Sequence, residues 1–317
     1  MDQKPVVTVT LNPAVDIAAD VETVRPDVKL RCGPAQFDPG GGGINVSRAI
    51  AKLGGQSTAL VASGGATGEM LAAMLAGEAI DAVTIAAGGQ TRQSFTARET
   101  TTGRLYRFVL PGPDWKPDTE HALLTMLEAH CAPGALFVVS GSLPPGADPS
   151  LIERMHETAS RGGASLIADT SGPVLQALCA RTGTPLHTLR MDKDEALTAS
   201  ARPLETPDDF AGYGATLLEA GIARHIVIGL GARGSVGVSV DEQILTSRPV
   251  EQPLSAVGAG DSFVGAYALA IANGEDFATA LVHGTAAAAS AVLTPGTQLC
   301  DGDLAVSFRA EVATTRL

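Results

Sequence analysis

Residues 257–263, Val-Gly-Ala-Gly-Asp-Ser-Phe, combine two features that anion chemistry needs. Three small residues, Gly258, Ala259 and Gly260, stand before an apolar helical stretch, VGAYALAIANG. The first N–H groups of a helix have no intrahelical acceptor and carry partial positive charge, so they can face an anion. Asp261 falls in the first turn and aims at the same place, where a carboxylate can take a proton from a hydroxyl. An Asp there could merely complement the helix dipole, but such a role does not need three small residues in a row.

Two other glycine motifs invite chemistry. Residues 40–45, GGGGIN, would let the backbone approach a ligand closely ahead of a helix, and a flexible hinge would use the same residues. Residues 229–234, GLGARG, match the dinucleotide pattern GxGxxG and, with Val236, the glycine-rich loop of protein kinases. Context opposes both readings. The chain continues as SVGVSV, a strand pattern late in the sequence, whereas a dinucleotide loop opens a helix in a first βαβ unit. No VAIK, HRD or DFG segment is present, and no glycine is followed by lysine, which excludes a Walker A loop. A tight turn between strands explains GLGARG without a ligand.

The elements that must position these residues alternate. Val6 to Leu11 is a β-branched apolar run ended by Asn12-Pro13. Strands are predicted at 58–62, 135–140, 164–169, 186–189 and 224–229, with helices at 44–54, 68–75, 118–130, 148–161, 172–181 and 207–220. Such alternation implies βαβ units and a mainly parallel sheet covered on both faces. Segments 16–37 and 95–110 are less apolar and read as half-exposed strands, the second pair a hairpin. Residues 234–248 read as another antiparallel hairpin, and the last third is helical and alanine-rich.

Composition narrows the partners. With 317 residues and 45% hydrophobic content, one large α/β unit can bury its own core. A net charge of −12 argues against nucleic-acid or anionic-membrane binding, so cations for an anionic ligand must be gathered locally. Cys32, Cys131, Cys179 and Cys300 show no metal spacing and read as free thiols. No signal-peptide pattern or membrane-spanning run is present, so a cytoplasmic protein is expected.

Together, GGGGIN at 40–45 and GAGD at 258–261 resemble the paired signatures of the PfkB-type, ribokinase-like carbohydrate kinase family. The resemblance extends through KLRC at 29–32, PGGGGINV at 39–46, GGATGE at 64–69, TRQ at 91–93, YRFV at 106–109, SGSLPPG at 140–146, VGAGDS at 257–262 and, less closely, GTQLC at 296–300. It runs from about Val6 to Cys300, nearly the whole chain. NPAVD at 12–16 is also similar to the opening of 1-phosphofructokinases and tagatose-6-phosphate kinases, but those relatives usually carry a lysine inside the glycine run, where this chain has glycine. That favours the 6-phosphofructokinase branch.

The resemblance implies a three-layer α/β sandwich over residues 1–317, with a small β-sheet lid from about 14–38 and 92–110. It implies ATP-dependent phosphorylation of a ketohexose phosphate: fructose 6-phosphate at O1, giving fructose 1,6-bisphosphate, with the 1-phosphofructokinase and tagatose-6-phosphate kinase reactions as alternatives. Asp261 would be the base, and the N–H groups of Gly258, Ala259 and Gly260 the anion hole. Asp16, Asn45, Gly41 and Gly42 would hold the sugar; Arg92, Lys29, Arg31 and Ser142 would hold its phosphate. Arg190, Asp192, Gly229, Gly231 and Gly234 would lie at ATP, with Asp192 and Glu195 reaching Mg²⁺ through water. A homodimer joined by its lids is expected.

The chain departs from the family pattern mainly on the nucleotide side. Arg190-Met191-Asp192-Lys193-Asp194-Glu195 stands where KPNxxE is usual, and Gly229 where Ser or Thr is common. Asp192 and Glu195, three apart, would share one helical face and attract a cation, or Asp192 would simply cap the helix. Thr294 and Gln298 flank Gly296 in a region that holds a monovalent-cation loop in relatives, with different polar residues, so K⁺ activation does not follow. A non-catalytic sugar-phosphate sensor is the reading from another class; the intact GAGD speaks against it.

Overall fold

The computed structural model describes residues 3–295 and 298–317. Gly296 and Thr297, in the segment of the expected monovalent-cation loop, lie outside the described residues.

The first half of the chain gives β1 (Val6–Thr10), β2 (Ala14–Val21), β3 (Gln36–Gly40), α1 (Gly42–Lys52), β4 (Thr58–Ser63), α2 (Gly65–Gly77), β5 (Asp81–Ala86), β6 (Arg92–Glu99) and β7 (Leu105–Val109). Next come α3 (Pro117–His130), β8 (Leu136–Ser140), α4 (Leu151–Arg161), β9 (Ser165–Asp169), α5 (Gly172–Cys179), β10 (Leu186–Asp192), α6 (Lys193–Ser200), α7 (Pro207–Glu219) and β11 (Ala223–Gly229). The chain closes with β12 (Ser235–Val238), β13 (Gln243–Ser247), α8 (Ala259–Ala272), α9 (Phe277–Ala291), α10 (Gly302–Phe308) and β14 (Ala313–Arg316).

Ten strands form the main sheet in the order β14-β13-β12-β11-β10-β9-β8-β1-β4-β5. The run from β11 to β5 is parallel, and β12, β13 and β14 add antiparallel strands at one edge. In β1, VVTVT, every residue is buried, as a strand covered on both faces requires. Val7 and Val9 join Phe137, Val139 and Leu166 against α3 to α7. Val6 points the other way and joins Leu136, Val138 and Ile167 against α1, α8 and α9. This period-two division produces the three layers.

The second sheet has the order β3-β2-β6-β7, with β2 and β6 parallel. Its polar residues alternate with apolar ones because only part of it is covered. The ladder aligns Asp16 with Asp38 and Ser94, and Ala14 with Arg92. Three elements had no clear sequence signal: β5 and β14, which are edge strands with mostly exposed residues, and the short helix α10.

Close packing of α8 on α1 prepares the site. A Cβ at Gly265 would stand 2.8 Å from that of Ala49 and 3.0 Å from the Val46 carbonyl oxygen. Glycine at 265 therefore lets the two helices approach and brings their first turns together.

Candidate active site

The polar residues that line the crevice from the main sheet lie at the carboxyl ends of parallel strands or in the turns that follow. Asn12 follows β1, Ser142 follows β8, Asp169 ends β9, and Arg190 and Asp192 lie at the end of β10. From β1 the chain builds β4 and β5 to one side and β8 to the other, so the crevice between β1 and β8 is a topological switch point, where ligands bind in open α/β sheets.

Asp261 sits in the first turn of α8, whose N-cap Gly258 is left-handed (φ 78°). Its Oδ2 accepts a hydrogen bond of 2.9 Å from Asn45 Nδ2. Arg48, which can only donate, reaches Asn45 Oδ1 at 3.4 Å and so fixes which end of that amide faces Asp261. Arg48 is itself held by Glu78 through bonds of 2.6 and 2.9 Å. Burial, and next the nearby Asp169 charge, push the Asp261 carboxyl from its ordinary value up to about 6, against the bond from Asn45 and the charge of Arg190. A base with that pKa is ionised at neutral pH yet accepts a proton readily. Of the three expected anion-hole donors, Ala259 N–H makes a long bond of 3.4 Å to the Ala256 carbonyl, while Gly258 and Gly260 N–H have no acceptor outside the helix among the described residues.

Beneath this turn lies an ion pair that sequence reasoning missed in part. Arg190 Nη1 donates to Asp169 Oδ1 at 2.9 Å, and Ser140 Oγ donates to Asp169 Oδ2 at 2.9 Å. Arg190 Nε is buried without a partner. Its Nη2 lies so close to two glycines that an added Cβ would stand 3.1 Å away at Gly260 and 3.2 Å away at Gly229. Glycine at 229, in place of the usual Ser or Thr, thus leaves room for the guanidinium. Asp169 had one usable signal: an acidic residue at the carboxyl end of a predicted parallel strand.

The GGGG run serves the chain before it serves any ligand. A Cβ at Gly40 would collide with the Asp16 carboxylate, and one at Gly42 would lie 2.6 Å from the Ser140 carbonyl carbon. Gly41 takes φ 123°, open only to glycine without strain. The run lets α1 start against the end of β8 and presents Asp16 and Asn45 to the crevice. Burial raises the pKa of Asp16, opposed by the charge of Arg107, the Ser94 hydroxyl and Arg92.

Arg107, on β7, was not among the expected residues, although it lies within the YRFV segment. It shares the face of the small sheet that carries Asp16 and Arg92. Arg92 donates from Nε and Nη2 to the Asn12 carbonyl. Lys29 and Arg31 are not brought to this cluster. They are exposed in the loop between β2 and β3 and make no hydrogen bond or ion pair among the described residues.

On the nucleotide side the structure shows the capping alternative for Asp192. Asp192 and Glu195 do not share a helical face as free acids. Asp192 is the extended N-cap of α6 (φ −88°, ψ 178°), and its Oδ1 accepts from Glu195 N–H at 2.8 Å while Glu195 Oε2 accepts from Asp192 N–H at 2.7 Å. This reciprocal box uses the backbone donors that a helix start leaves free, which is why Asp at 192 settles there. Burial raises the pKa of Glu195. Among the described residues no group of three or more His, Cys, Asp or Glu could hold a metal by itself. Scattered single carboxylates fit a hard cation such as Mg²⁺ that keeps its waters and arrives on phosphates. GLGARG forms a one-turn 3₁₀ helix between β11 and β12, with Gly231 at φ 61° and Gly234 at φ 100°. The glycines there are needed by the turn itself.

Residues 6–303 match the sequence profile of the pfkB family of carbohydrate kinases. The chain belongs to this family. The ATP-dependent 6-phosphofructokinase isozyme 2 of Escherichia coli is 38% identical over 296 residues, covering 93% of this chain and 95% of that protein. The enzyme of the same name from Mycobacterium tuberculosis is 37% identical over 298 residues, covering 94% and 87%. The crystal structure of phosphofructokinase-2 from Escherichia coli in complex with potassium superposes with a TM-score of 0.92 at 36% identity, over 97% of this chain and 99% of that one. As a member of the pfkB family, this chain is a sugar kinase that transfers a phosphoryl group to a hydroxyl. No helix among the described residues is long and apolar enough to cross a membrane.

Proposed function

We propose that this pfkB-family kinase transfers the γ-phosphoryl group of ATP to O1 of fructose 6-phosphate, forming fructose 1,6-bisphosphate and ADP. The observation that carries the chemistry is the Asp261 carboxylate, raised to about 6 and held by Asn45 at the N-terminus of α8. Asp261 takes the proton of the sugar hydroxyl as O1 attacks the γ-phosphorus and the bond to the ADP oxygen breaks. The N–H groups of Gly258 and Gly260 meet the charge on the transferred group, with Ala259 joining once its long bond to Ala256 gives way. One such donor is worth about 3–4 kcal/mol. Arg190, with an unpaired Nε beneath this turn, adds a fixed positive charge.

Asp16 and Asn45 bind sugar hydroxyls, and Arg92 and Ser142 bind the 6-phosphate, with Arg107 alongside. Mg²⁺ bound with ATP offsets phosphate charge, and Glu195 is the carboxylate suited to reach its water shell. Gly229, Gly231 and Gly234 line the nucleotide side as turn residues.

The four-stranded sheet serves as the lid, and two copies pair through it. Phe37, Ile17, Phe95 and Phe108 form one cross-strand row, with Phe37 46% and Phe108 56% exposed. Lys29 and Arg31, unengaged within their own chain, fit a role in the partner's site. The free thiols at Cys32, Cys131, Cys179 and Cys300 suit a reducing, cytoplasmic setting.

The test is ADP release across fructose 6-phosphate, tagatose 6-phosphate, fructose 1-phosphate and fructose, with and without Mg²⁺. The highest kcat/KM should fall on fructose 6-phosphate. A preference for unphosphorylated fructose would overturn the assignment.

A further inference from the structure

Asn12 lies between β1 and β2, where the chain leaves the main sheet for the small one. Its backbone carbonyl accepts from Arg92 Nε at 3.2 Å and from Nη2 at 3.1 Å. Its side-chain Nδ2 donates to Ser142 Oγ at 3.2 Å and to the Leu143 carbonyl at 3.3 Å. One residue therefore holds a cation from one sheet and a hydroxyl from the other. The orientation of the amide is settled by Leu143: a backbone carbonyl only accepts, so the nitrogen must face it. Oδ1 then points inward, where it is buried without a partner and lies against Gly112, at which a Cβ would collide with it. Leaving a buried amide oxygen unpaired is costly, so the contacts of the nitrogen must repay the arrangement.

We infer that Asn12 is a positioning residue for the phosphate of the substrate. Nδ2 donates into a lone pair of Ser142 Oγ, which leaves the proton of that exposed hydroxyl to be donated to a phosphate oxygen. The Asn12 carbonyl engages Nε and Nη2 of Arg92 and so orients the guanidinium, whose Nη1 remains for the phosphate. Asn12 touches no substrate; it sets the direction of two donors across the junction of the sheets. The inference rests on the sugar-phosphate reading of Arg92 and Ser142 above.

Steady-state kinetics with fructose 6-phosphate on Asn12→Ala, Asn12→Asp, Ser142→Ala, Asn12→Ala with Ser142→Ala, and Arg92→Ala test it. Asn12→Ala should raise the KM for the sugar phosphate about fivefold, with the KM for ATP and the Tm near wild type. Asn12→Asp keeps the shape but draws the Ser142 proton to itself and faces the phosphate with like charge, so a rise of about fiftyfold is expected. In the Ser142→Ala background, Asn12→Ala should add less than about twofold, because its side chain acts through that hydroxyl. A full additional effect in that background, equal rises in KM for ATP and sugar phosphate, or an Asn12→Asp enzyme that binds fructose 6-phosphate normally would each overturn the inference. If Arg92→Ala and Ser142→Ala leave that KM unchanged, the phosphate reading of this corner fails first and the role of Asn12 with it.

Discussion

Replacing Asp261 by Asn separates the two consequences of its position, catalysis and burial. Asn keeps the shape and still accepts from Asn45, but it cannot take a proton, so kcat should fall about 10²-fold or more with little change in sugar-phosphate binding. The same substitution should stabilise the fold. The native carboxyl is raised from 3.8 to about 6, a shift of about two units, worth about 3 kcal/mol at about 1.4 kcal/mol per unit. Unfolding 317 residues releases about 0.7 kcal/mol per kelvin, so the full shift is worth about 4 °C in Tm. Asp261 is partly exposed, and solvent screening brings the expectation to about 2–4 °C. The sign follows from linkage. The native pKa exceeds the unfolded one, so the wild type loses stability as pH rises from 3.8 to about 6 and carries the full penalty above that. The Asn variant has no such titration, so its advantage is complete at pH 8 and fades as pH falls toward 4. For the same reason the wild-type kcat/KM, which reports the free enzyme, should climb through pH 6 and level off above it. ADP release gives kcat, and thermal melts at pH 8 and pH 4.5 give the stability difference. A variant with near-normal kcat would remove Asp261 as the base, and one with no gain in Tm at pH 8 would refute the burial argument.

Arg92→Ala should raise the KM for fructose 6-phosphate about tenfold to a hundredfold, the loss of a charge-assisted bond, while the KM for ATP changes little; equal effects would make Arg92 structural. Asp192→Asn should leave both the Mg²⁺ dependence of the initial rate and the Tm unchanged, because Asn caps as well as Asp, whereas Asp192→Ala should cost about 1 kcal/mol of stability. A rightward shift of the Mg²⁺ curve in Asp192→Asn would instead give that carboxylate a metal role. If two copies pair through the small sheet as proposed, wild type should run as a dimer and Phe108→Asp as a monomer in light-scattering chromatography; a dimeric Phe108→Asp would rule out this face as the contact.

The parts legible in the sequence were those set by local pattern. Continuous apolar runs marked the buried strands, and Gly258 to Asp261 marked the α8 N-terminus, because a left-handed cap and an unpaired first turn need small residues there. GLGARG was legible as a turn, since a strand pattern follows it. What was not legible depends on distance in the chain. Asp169 acquires meaning only once Arg190 and Ser140 reach it from neighbouring strands. Arg107 counts only because the register of β6 and β7 sets it on the face of Asp16, whereas Lys29 and Arg31, equally basic in sequence, stand apart in a loop. The spacing of Asp192 and Glu195 suits a shared helical face or a capping box equally, and the position of the first helical residue decides between them. Edge strands β5 and β14 lacked a signal because an uncovered strand need not be apolar.

The proposed reaction transfers a phosphoryl group to O1 of a 6-phosphorylated ketose. Phosphorus NMR of the reaction of enzyme, MgATP and fructose 6-phosphate tests it most directly, because it identifies the product and the position of the new ester together. Stoichiometric ADP and a sugar carrying esters at both C1 and C6 are expected, with no such product from the Asp261→Asn enzyme on the same time scale. ADP formation without a new sugar ester, or a new ester on fructose but none on fructose 6-phosphate, would contradict it.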